Sequence, residues 1–324
     1  MNMFRVVSLF AGCGGAELGL LGGFVFNGVM YDKLPFKLVY ALDINEKAIN
    51  THKLNFKCDN VVIGDICDIH ENTIPDCDVV VGGFPCQSFS VANPTKDPFD
   101  DRANLYKEMV RIVNAKQPMV FIAENVKGFM RLHNGTIFNR VIAAFDEVGY
   151  RTYSTLLNAA DYGVPQKRER VFMVGVRKDI VVEYDFPKPT TKENPVPLSA
   201  AVPNLKIEEK KYYFSEKAVE GMKRARARKR SGIYQNLNEP CLTVTSHLAK
   251  ASLNSYDPVL LVDPSKELYR RFTPREAARI QSFPDDFIFA GGDLDAYRQI
   301  GNAIAPVKFW HIAKSISVLL EAAK

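Results

Sequence analysis

The first part of the chain leads from an apolar run into the glycine loop Phe10-Ala11-Gly12-Cys13-Gly14-Gly15. Four of the six residues at 5–10 are apolar, which predicts a buried strand, and the residues after the loop have helical spacing. A strand, a glycine loop and a helix in this order let bare backbone approach a ligand at the helix N-terminus. The stretch predicts a nucleotide-cofactor site in an α/β fold, although a lone glycine loop is equally often simple turn chemistry.

Two further strand ends carry acids that suit the same ligand. The predicted strand at 37–43 ends in Asp43, where Rossmann-like folds place an acid on ribose hydroxyls, and Asp65 follows the predicted strand at 61–63. The loop lacks the third glycine of the Gly-x-Gly-x-x-Gly fingerprint, so NAD is the weaker candidate. These features together favour an adenosine-containing cofactor.

Alternation of apolar runs with amphipathic stretches continues to about residue 186 and predicts a doubly wound α/β domain. A proline-rich stretch from Phe186 indicates an exit from that domain. We expect a large domain at 1–189 that is completed by 296–324, and a smaller domain at 190–295. The predicted strands are 5–10, 37–43, 61–63, 78–81, 119–124, 151–157 and 171–176, and the predicted helices are 16–21, 46–54, 105–116 and 136–148. The segment 297–324 is predicted to contain a Gly-Asn turn followed by an amphipathic helix that packs back on the large domain.

Composition excludes several classes of protein. The 324 residues include no apolar stretch near ~20 residues and no secretory signal pattern, so an intracellular, cytoplasmic protein is expected. Six cysteines without a Cys-x-x-Cys pair or zinc-type spacing argue against a disulfide framework and a metal site. Six of the eight residues at 223–230 are basic, which fits either a solvated helix face or contact with nucleic acid.

Cys86 lies in Gly83-Phe84-Pro85-Cys86-Gln87-Ser88, just after the apolar run at 78–81. Loops at strand ends are where α/β enzymes place reactive groups. A lone cysteine is more often a small buried hydrophobe. The fixed φ of Pro85 and the polar amide of Gln87 suit an exposed, oriented thiol better, so Cys86 is a candidate nucleophile.

Six motifs occur in order along the chain. They are the glycine loop at 10–15, Gly-Phe-Pro-Cys-Gln at 83–87, Glu-Asn-Val at 124–126, Gln-Lys-Arg-Glu-Arg at 166–170, Arg-Glu-Ala-Ala-Arg at 275–279 with 281–284, and Gln-Ile-Gly-Asn-Ala at 299–303. Together they resemble the motifs of the DNA cytosine-5 methyltransferases, and the resemblance spans nearly the whole chain. It implies a Rossmann-like methyltransferase fold with a mixed, doubly wound sheet, and a small target-recognition domain that faces the large domain across a cleft for double-stranded DNA. It also implies S-adenosyl-L-methionine as cofactor, S-adenosyl-L-homocysteine as product, and no metal.

By this resemblance, Cys86 adds to carbon 6 of a flipped cytosine, because carbon 5 is a poor nucleophile until the ring is activated. Glu124 supports ring N3 and the exocyclic amine, while Arg168 and Arg170 hold the cytosine carbonyl, Glu124 and a phosphate. Carbon 5 then accepts the methyl group, a base removes its proton, and Cys86 is expelled. No sequence feature identifies that base.

The resemblance also implies binding residues. A polar loop at 87–102 closes over the DNA, and the basic run contacts phosphates. The implied cofactor residues are Phe10, Ala11, Gly12, Gly14, Gly15, Asp43, Ile44, Asp65, Ile66, Pro85, Leu105, Asn302 and Ala303. The implied DNA-binding residues are Gln87, Ser88, Ser90, Arg228, Lys229, Arg230, Thr243, Thr245, His247 and Lys250.

Some positions depart from the commonest family forms. Ser8 stands where Asp is frequent, Asp43 where Glu is frequent, and Ile44 where an aromatic residue stacks on adenine. The implied role is the modification half of a restriction-modification system, acting as a monomer beside an endonuclease it does not contact. A solitary or phage-borne enzyme would look the same.

Three alternatives remain. A tRNA cytosine-5 methyltransferase would share the fold, but that branch carries Cys-Phe-Thr in its small domain, and here Cys241 is followed by Leu242. A nicotinamide oxidoreductase would explain the glycine loop but not the later motifs. A catalytically inert DNA-binding protein would not need the thiol, the acid and the arginines together.

Overall fold

A seven-stranded sheet lies at the centre of the computed structural model, which describes residues 3–85, 105–227, 234–248 and 258–324. Neighbouring strands pair in parallel, except that β10 runs antiparallel to the strands on both of its sides. The mixed, doubly wound sheet expected from the sequence is therefore confirmed. In spatial order the strands are β5 (Asn60–Ile63), β4 (Phe36–Asp43), β1 (Phe4–Leu9), β6 (Val79–Gly82), β7 (Val120–Val126), β10 (Glu169–Arg177) and β8 (Tyr150–Asn158).

Helices cover both faces of the sheet, which is why its central strands are apolar on both sides. On one face α1 packs against α8, and on the other α3 and α4 bury apolar side chains among those of the sheet. The helices are α1 (Gly15–Leu21), α2 (Glu46–Asn55), α3 (Leu105–Lys116), α4 (Thr136–Glu147), α5 (Glu216–Ala227), α6 (Pro274–Ile280), α7 (Asp293–Asn302) and α8 (Pro306–Ala322).

All seven predicted strands belong to this sheet, and their ends and those of the four helices predicted with bounds agree within two residues. The predicted C-terminal helix is confirmed as α8, whereas the predicted turn at Gly301 and Asn302 is wrong because both residues belong to α7. The hairpin formed by β2 and β3 was not predicted from the sequence, and neither were α5, α6 and α7. Short strands are hard to recognise because two or three residues give almost no periodicity. The remaining strands are β2 (Phe24–Phe26), β3 (Val29–Tyr31), β9 (Gln166–Lys167), β11 (Cys241–Leu242), β12 (Leu260–Asp263) and β13 (Leu268–Arg270).

A third apolar cluster joins residues 198–300 to the glycine loop through Cys13. α6 begins with a capping box, in which the Thr273 side chain accepts from the Glu276 amide and Glu276 accepts from the Thr273 amide. Buried Arg270 donates two 2.7 Å bonds to the Glu276 carboxylate. α7 spans the predicted domain boundary at 295/296.

The segment Asp293–Ala322 is long and apolar enough, by composition, to cross a membrane. It consists of two helices, α7 and α8, with a break at residues 303–305. Two thirds of its most apolar window is buried inside the protein, 67%. Its composition is explained by packing, since α8 buries apolar side chains against α1 and against the central sheet.

Candidate active site

The carboxyl ends of the parallel strands border one cavity of about 910 Å³. Open α/β sheets bind ligands outside this edge, and a nucleoside-sized cofactor suits a cavity of this volume. Every predicted cofactor residue lines the cavity except Gly14. Those that line it are Phe10, Ala11, Gly12, Gly15, Asp43, Ile44, Asp65, Ile66, Pro85, Leu105, Asn302 and Ala303.

The glycine loop needs its glycines for two different reasons. Gly12 and Gly14 have φ values of 57° and 98°, in the left-handed region that favours glycine. A Cβ on Gly14 would also lie 2.1 Å from the ring of Phe56. Gly14 is therefore needed for close packing of the loop against Phe56, whereas Gly12 leaves bare backbone exposed to the cavity.

Asp43 holds the glycine loop and the start of α2 together. Its Oδ2 accepts from the Gly12 amide at 2.8 Å and its Oδ1 accepts from the Asn45 amide at 2.8 Å. Burial raises the pKa of the Asp43 carboxyl, and the backbone donors oppose that shift. The carboxylate is thus positioned at the end of β4, on the cavity wall.

A second acid and an exposed apolar side chain lie at the ends of β5 and β4, on the same cavity. Asp65 accepts from the Cys67 amide at 3.0 Å and so caps a short 3-10 helix that begins at Ile66. Ile44 exposes 68% of its surface, beside Asp43 at the edge of the cavity. An exposed aliphatic side chain at this edge offers an apolar surface for a flat ring.

Cys86 itself lies outside the described residues, but the chain leading to it is well defined. Asn125 is buried on β7 and donates from Nδ2 to the Phe84 carbonyl at 3.0 Å. The Phe84 ring packs between those of Tyr106 and Phe129. Pro85, the last described residue before the thiol, lines the cavity.

Glu124 and Arg170 form an ion pair in the same cavity. Arg170 Nε lies 3.2 Å from Glu124 Oε1, and the two side chains are 15% and 13% exposed. They lie on adjacent antiparallel strands, with Arg170 opposite Val126 and Glu124 opposite Phe172. The carboxylate faces Gly83, where an added Cβ would lie 3.8 Å from Oε2. A mostly buried acid is thus oriented close to the chain that leads to Cys86.

Arg168 also lines the cavity, but its hydrogen bonds go to backbone carbonyls. It donates to Val244 at 3.1 Å, to Gly301 at 2.9 Å and to Ala303 at 3.1 Å. Burial, with Arg170 nearby, lowers the pKa of the Arg168 guanidinium to about 9. The structure therefore gives Arg168 a positioning function that the sequence analysis did not anticipate, and contact with cytosine stays a prediction.

The predicted DNA-reading segment is held against the arginine motif. Gln166 Oε1 accepts from the Val244 amide at 2.8 Å, and Thr243 donates to the Lys167 carbonyl at 2.8 Å. Thr245 accepts from the His247 amide at 3.2 Å. DNA contact by Thr243, Thr245 and His247 stays a prediction. Gln87, Ser88, Ser90, Arg228, Lys229, Arg230 and Lys250 lie outside the described residues.

Three buried ionisable side chains near the cavity escaped the sequence analysis. Glu17 on α1 and His52 on α2 lie 4.0 Å apart, and Lys308 lies on α8. The one usable signal was Ser8, a departure from the family pattern, because Ser8 Oγ donates to the Glu17 carboxylate. From helical spacing alone, Glu17 and Lys308 would be predicted to be solvent-exposed charges.

Comparison with known proteins places this architecture in a large group. A family model for C-5 cytosine-specific DNA methylase matches residues 4–318. The type II methyltransferase M.NgoFVII of Neisseria gonorrhoeae is 36% identical over 97% of this chain and 87% of the relative. M.NlaX of Neisseria lactamica is 33% identical over 99% of this chain and 98% of the relative. The S. pombe Dnmt2 methyltransferase structure aligns with a TM-score of 0.74 over 98% of this chain and 99% of that chain, and at 18% identity it supports the fold alone.

Proposed function

Because the chain belongs to the family of C-5 cytosine-specific DNA methylases, we propose that it methylates carbon 5 of a cytosine flipped out of a specific double-stranded DNA sequence. S-adenosyl-L-methionine is the methyl donor. The observation that carries this proposal is one cavity, bordered by the glycine loop, by the chain that leads to Cys86 and by the Glu124–Arg170 pair. The reaction requires the methyl donor, the nucleophile and the acid to reach the same cytosine, so they must lie around one cavity.

The residues present fit S-adenosyl-L-methionine. The bare backbone at Gly12 lets the cofactor approach the loop closely. The Asp43 carboxylate can accept hydrogen bonds from the ribose hydroxyls, and the apolar Ile44 side chain can contact the adenine ring. Asp65 and Ile66 lie at the adjacent strand end. The cofactor, when bound, supplies an electrophilic methyl group.

Cys86 is the proposed nucleophile, and its thiolate forms a bond to carbon 6 of the cytosine. Electron density moves toward N3, where the Glu124 carboxyl supplies a proton or a hydrogen bond. Arg170 keeps that carboxyl in place through its 3.2 Å contact. After methyl transfer a base takes the proton from carbon 5, the double bond between carbons 5 and 6 re-forms, and Cys86 leaves carbon 6 as a thiolate.

The remaining proposals concern partners. Residues 1–189 with 296–324 are proposed as the catalytic domain and 190–295 as the domain that reads the DNA, with the basic run at 223–230 on phosphates. The printed names of the relatives, type II methyltransferases, support a modification enzyme that protects DNA from a separate endonuclease. We place it in the cytoplasm, as a monomer on the DNA of a prokaryote or a phage-infected cell.

Bisulfite sequencing of plasmid DNA from a methylation-deficient host that expresses the protein tests this proposal. Protected cytosines in one short sequence context are expected, and Cys86→Ala should abolish them. Cys58→Ala is the matched control, because Cys58 does not line the cavity and its thiol contacts the Asn60 carbonyl at 3.3 Å. Methylation by the Cys86→Ala protein would refute the covalent step, and methylated tRNA without methylated DNA would favour the RNA alternative.

A further inference from the structure

Glu17 on α1 places a buried carboxylate in the wall of the cofactor cavity. It is 2% exposed, and Ser8 Oγ on β1 donates to its Oε1. Its other oxygen, Oε2, has no hydrogen-bond partner among the described residues. Both Glu17 and Ser8 line the cavity. Burial of a carboxylate with one unsatisfied oxygen destabilises the folded protein, and either a bound ligand or a proton on the carboxyl would reduce that free-energy cost.

Among the residues that the structure describes, the groups that face Glu17 provide no positive charge at neutral pH. His52 Nε2 on α2 lies 4.0 Å from Glu17 Oε1, but burial lowers the pKa of His52 to about 4, so the imidazole is neutral. Asp43 on β4, Cys13 in the glycine loop and Cys58 after α2 are its other titratable neighbours, and each can carry only negative charge.

The electrostatic state of Glu17 follows from these surroundings. Burial raises the pKa of Glu17 to about 7, with the Ser8 hydrogen bond opposing the shift and Asp43 adding to it. Near neutral pH the site is therefore poised between a protonated and an ionised form. A cation entering the cavity would favour the ionised form, since opposite charges attract strongly where water is excluded.

We propose that Glu17 recognises the positive charge of the cofactor, so that its carboxylate favours the sulfonium of S-adenosyl-L-methionine over the uncharged thioether of S-adenosyl-L-homocysteine. This inference rests on the proposed cofactor. The methyl group leaves with the positive charge of the sulfur, so a carboxylate that binds the donor tightly holds the product less tightly. Glu17 thereby assists exchange of product for fresh donor.

Linkage gives the sign of the pH dependence. Binding of a cation lowers the pKa of Glu17, so the donor binds the ionised form and releases a proton when the pH lies near or below 7. Donor affinity therefore rises with pH. With a free-protein pKa of about 7, the dissociation constant should fall about tenfold between pH 6 and pH 8, while that of the product changes less.

Isothermal titration calorimetry of the full chain with donor and with product, at pH 6 and pH 8, tests the inference. Glu17→Gln keeps the Ser8 hydrogen bond but cannot ionise, so it should lose the tenfold pH effect and most of the preference for donor over product. Glu321→Gln, an exposed acid on α8, is the control. Ser8→Ala, which removes the donor that favours ionised Glu17, should move the midpoint of the pH effect upward without abolishing it.

Two outcomes overturn the inference while leaving the cofactor in place. One is a Glu17→Gln protein with the donor preference and pH dependence of the wild type, and the other is an equal loss of affinity for donor and product. Failure of the wild-type protein to bind the donor at either pH would instead overturn the proposed cofactor, and the inference with it.

Discussion

Replacement of Lys308 by methionine should stabilise the protein. Lys308 on α8 is 1% exposed, and its Nζ has no hydrogen-bond partner in the described part of the chain. The amine lies 4.7 Å from the centroid of the Phe172 ring. Burial lowers the pKa of Lys308 well below its usual value, Glu124 opposes that shift, and Arg170 and Arg168 add to it. The folded chain therefore holds the Lys308 proton less tightly than the unfolded chain does.

The magnitude follows from two contributions. An unsatisfied buried donor costs about 1–3 kcal/mol, and methionine fills a similar volume without one. The lowered pKa of the buried amine adds to this cost, so the free energy of unfolding should rise by at least about 1–3 kcal/mol at pH 7. Because the pKa of Lys308 is lower in the folded chain than in the unfolded chain, the unfolded chain binds more protons at this residue between the two pKa values. Wild-type stability should therefore rise with pH up to the unfolded pKa of about 10.4, by as much as ~1.4 kcal/mol per pH unit.

Urea unfolding followed by circular dichroism at pH 7, 8 and 9 measures both contributions. Lys308→Met should be the more stable protein at pH 7 and should lack the Lys308 part of the pH slope. Lys314→Met, on the exposed side of the same helix with its amine 4.8 Å from the Trp310 ring, is the control and should change stability by at most about 1 kcal/mol. A less stable Lys308→Met protein, or one with an unchanged pH slope, would refute the reasoning.

Three further predictions test the site and its support. Glu124→Gln should lower kcat by about 10²-fold or more in a methyl-transfer assay while donor affinity changes little, and near-normal turnover would remove Glu124 from the acid role. Arg168→Lys cannot span the three carbonyls that Arg168 bonds, so urea unfolding should show a loss of about 2–3 kcal/mol, and an unchanged midpoint would contradict the positioning role. Gly301→Ala should lower Tm because its Cβ would lie 2.2 Å from the Thr245 backbone, whereas Gly128→Ala has open space and should not.

The strands of the central sheet, and the edge of the sheet at which the cavity lies, could be predicted from the sequence alone. Strands such as Val79–Gly82 are short runs of β-branched residues, and their period and end signals are local properties of the chain. Glycines and acids at consecutive strand ends predict a common edge, since parallel strands bring their carboxyl ends together. Hence Gly12, Asp43 and Asp65 could be placed around one ligand before any coordinates were known.

Which charged side chains are buried, and which groups they contact, depends on the tertiary structure and could not be predicted from the sequence. Glu17 and Lys308 occupy helix positions that would be solvated if nothing covered them, but α2 and the central sheet cover them here. Arg168 bonds carbonyls 76 and 133 residues away, at Val244 and Gly301. Burial and such distant contacts depend on how the whole chain packs, whereas periodicity and turn chemistry report only on neighbouring residues. The ionisation of the cavity wall is therefore a property of the folded protein.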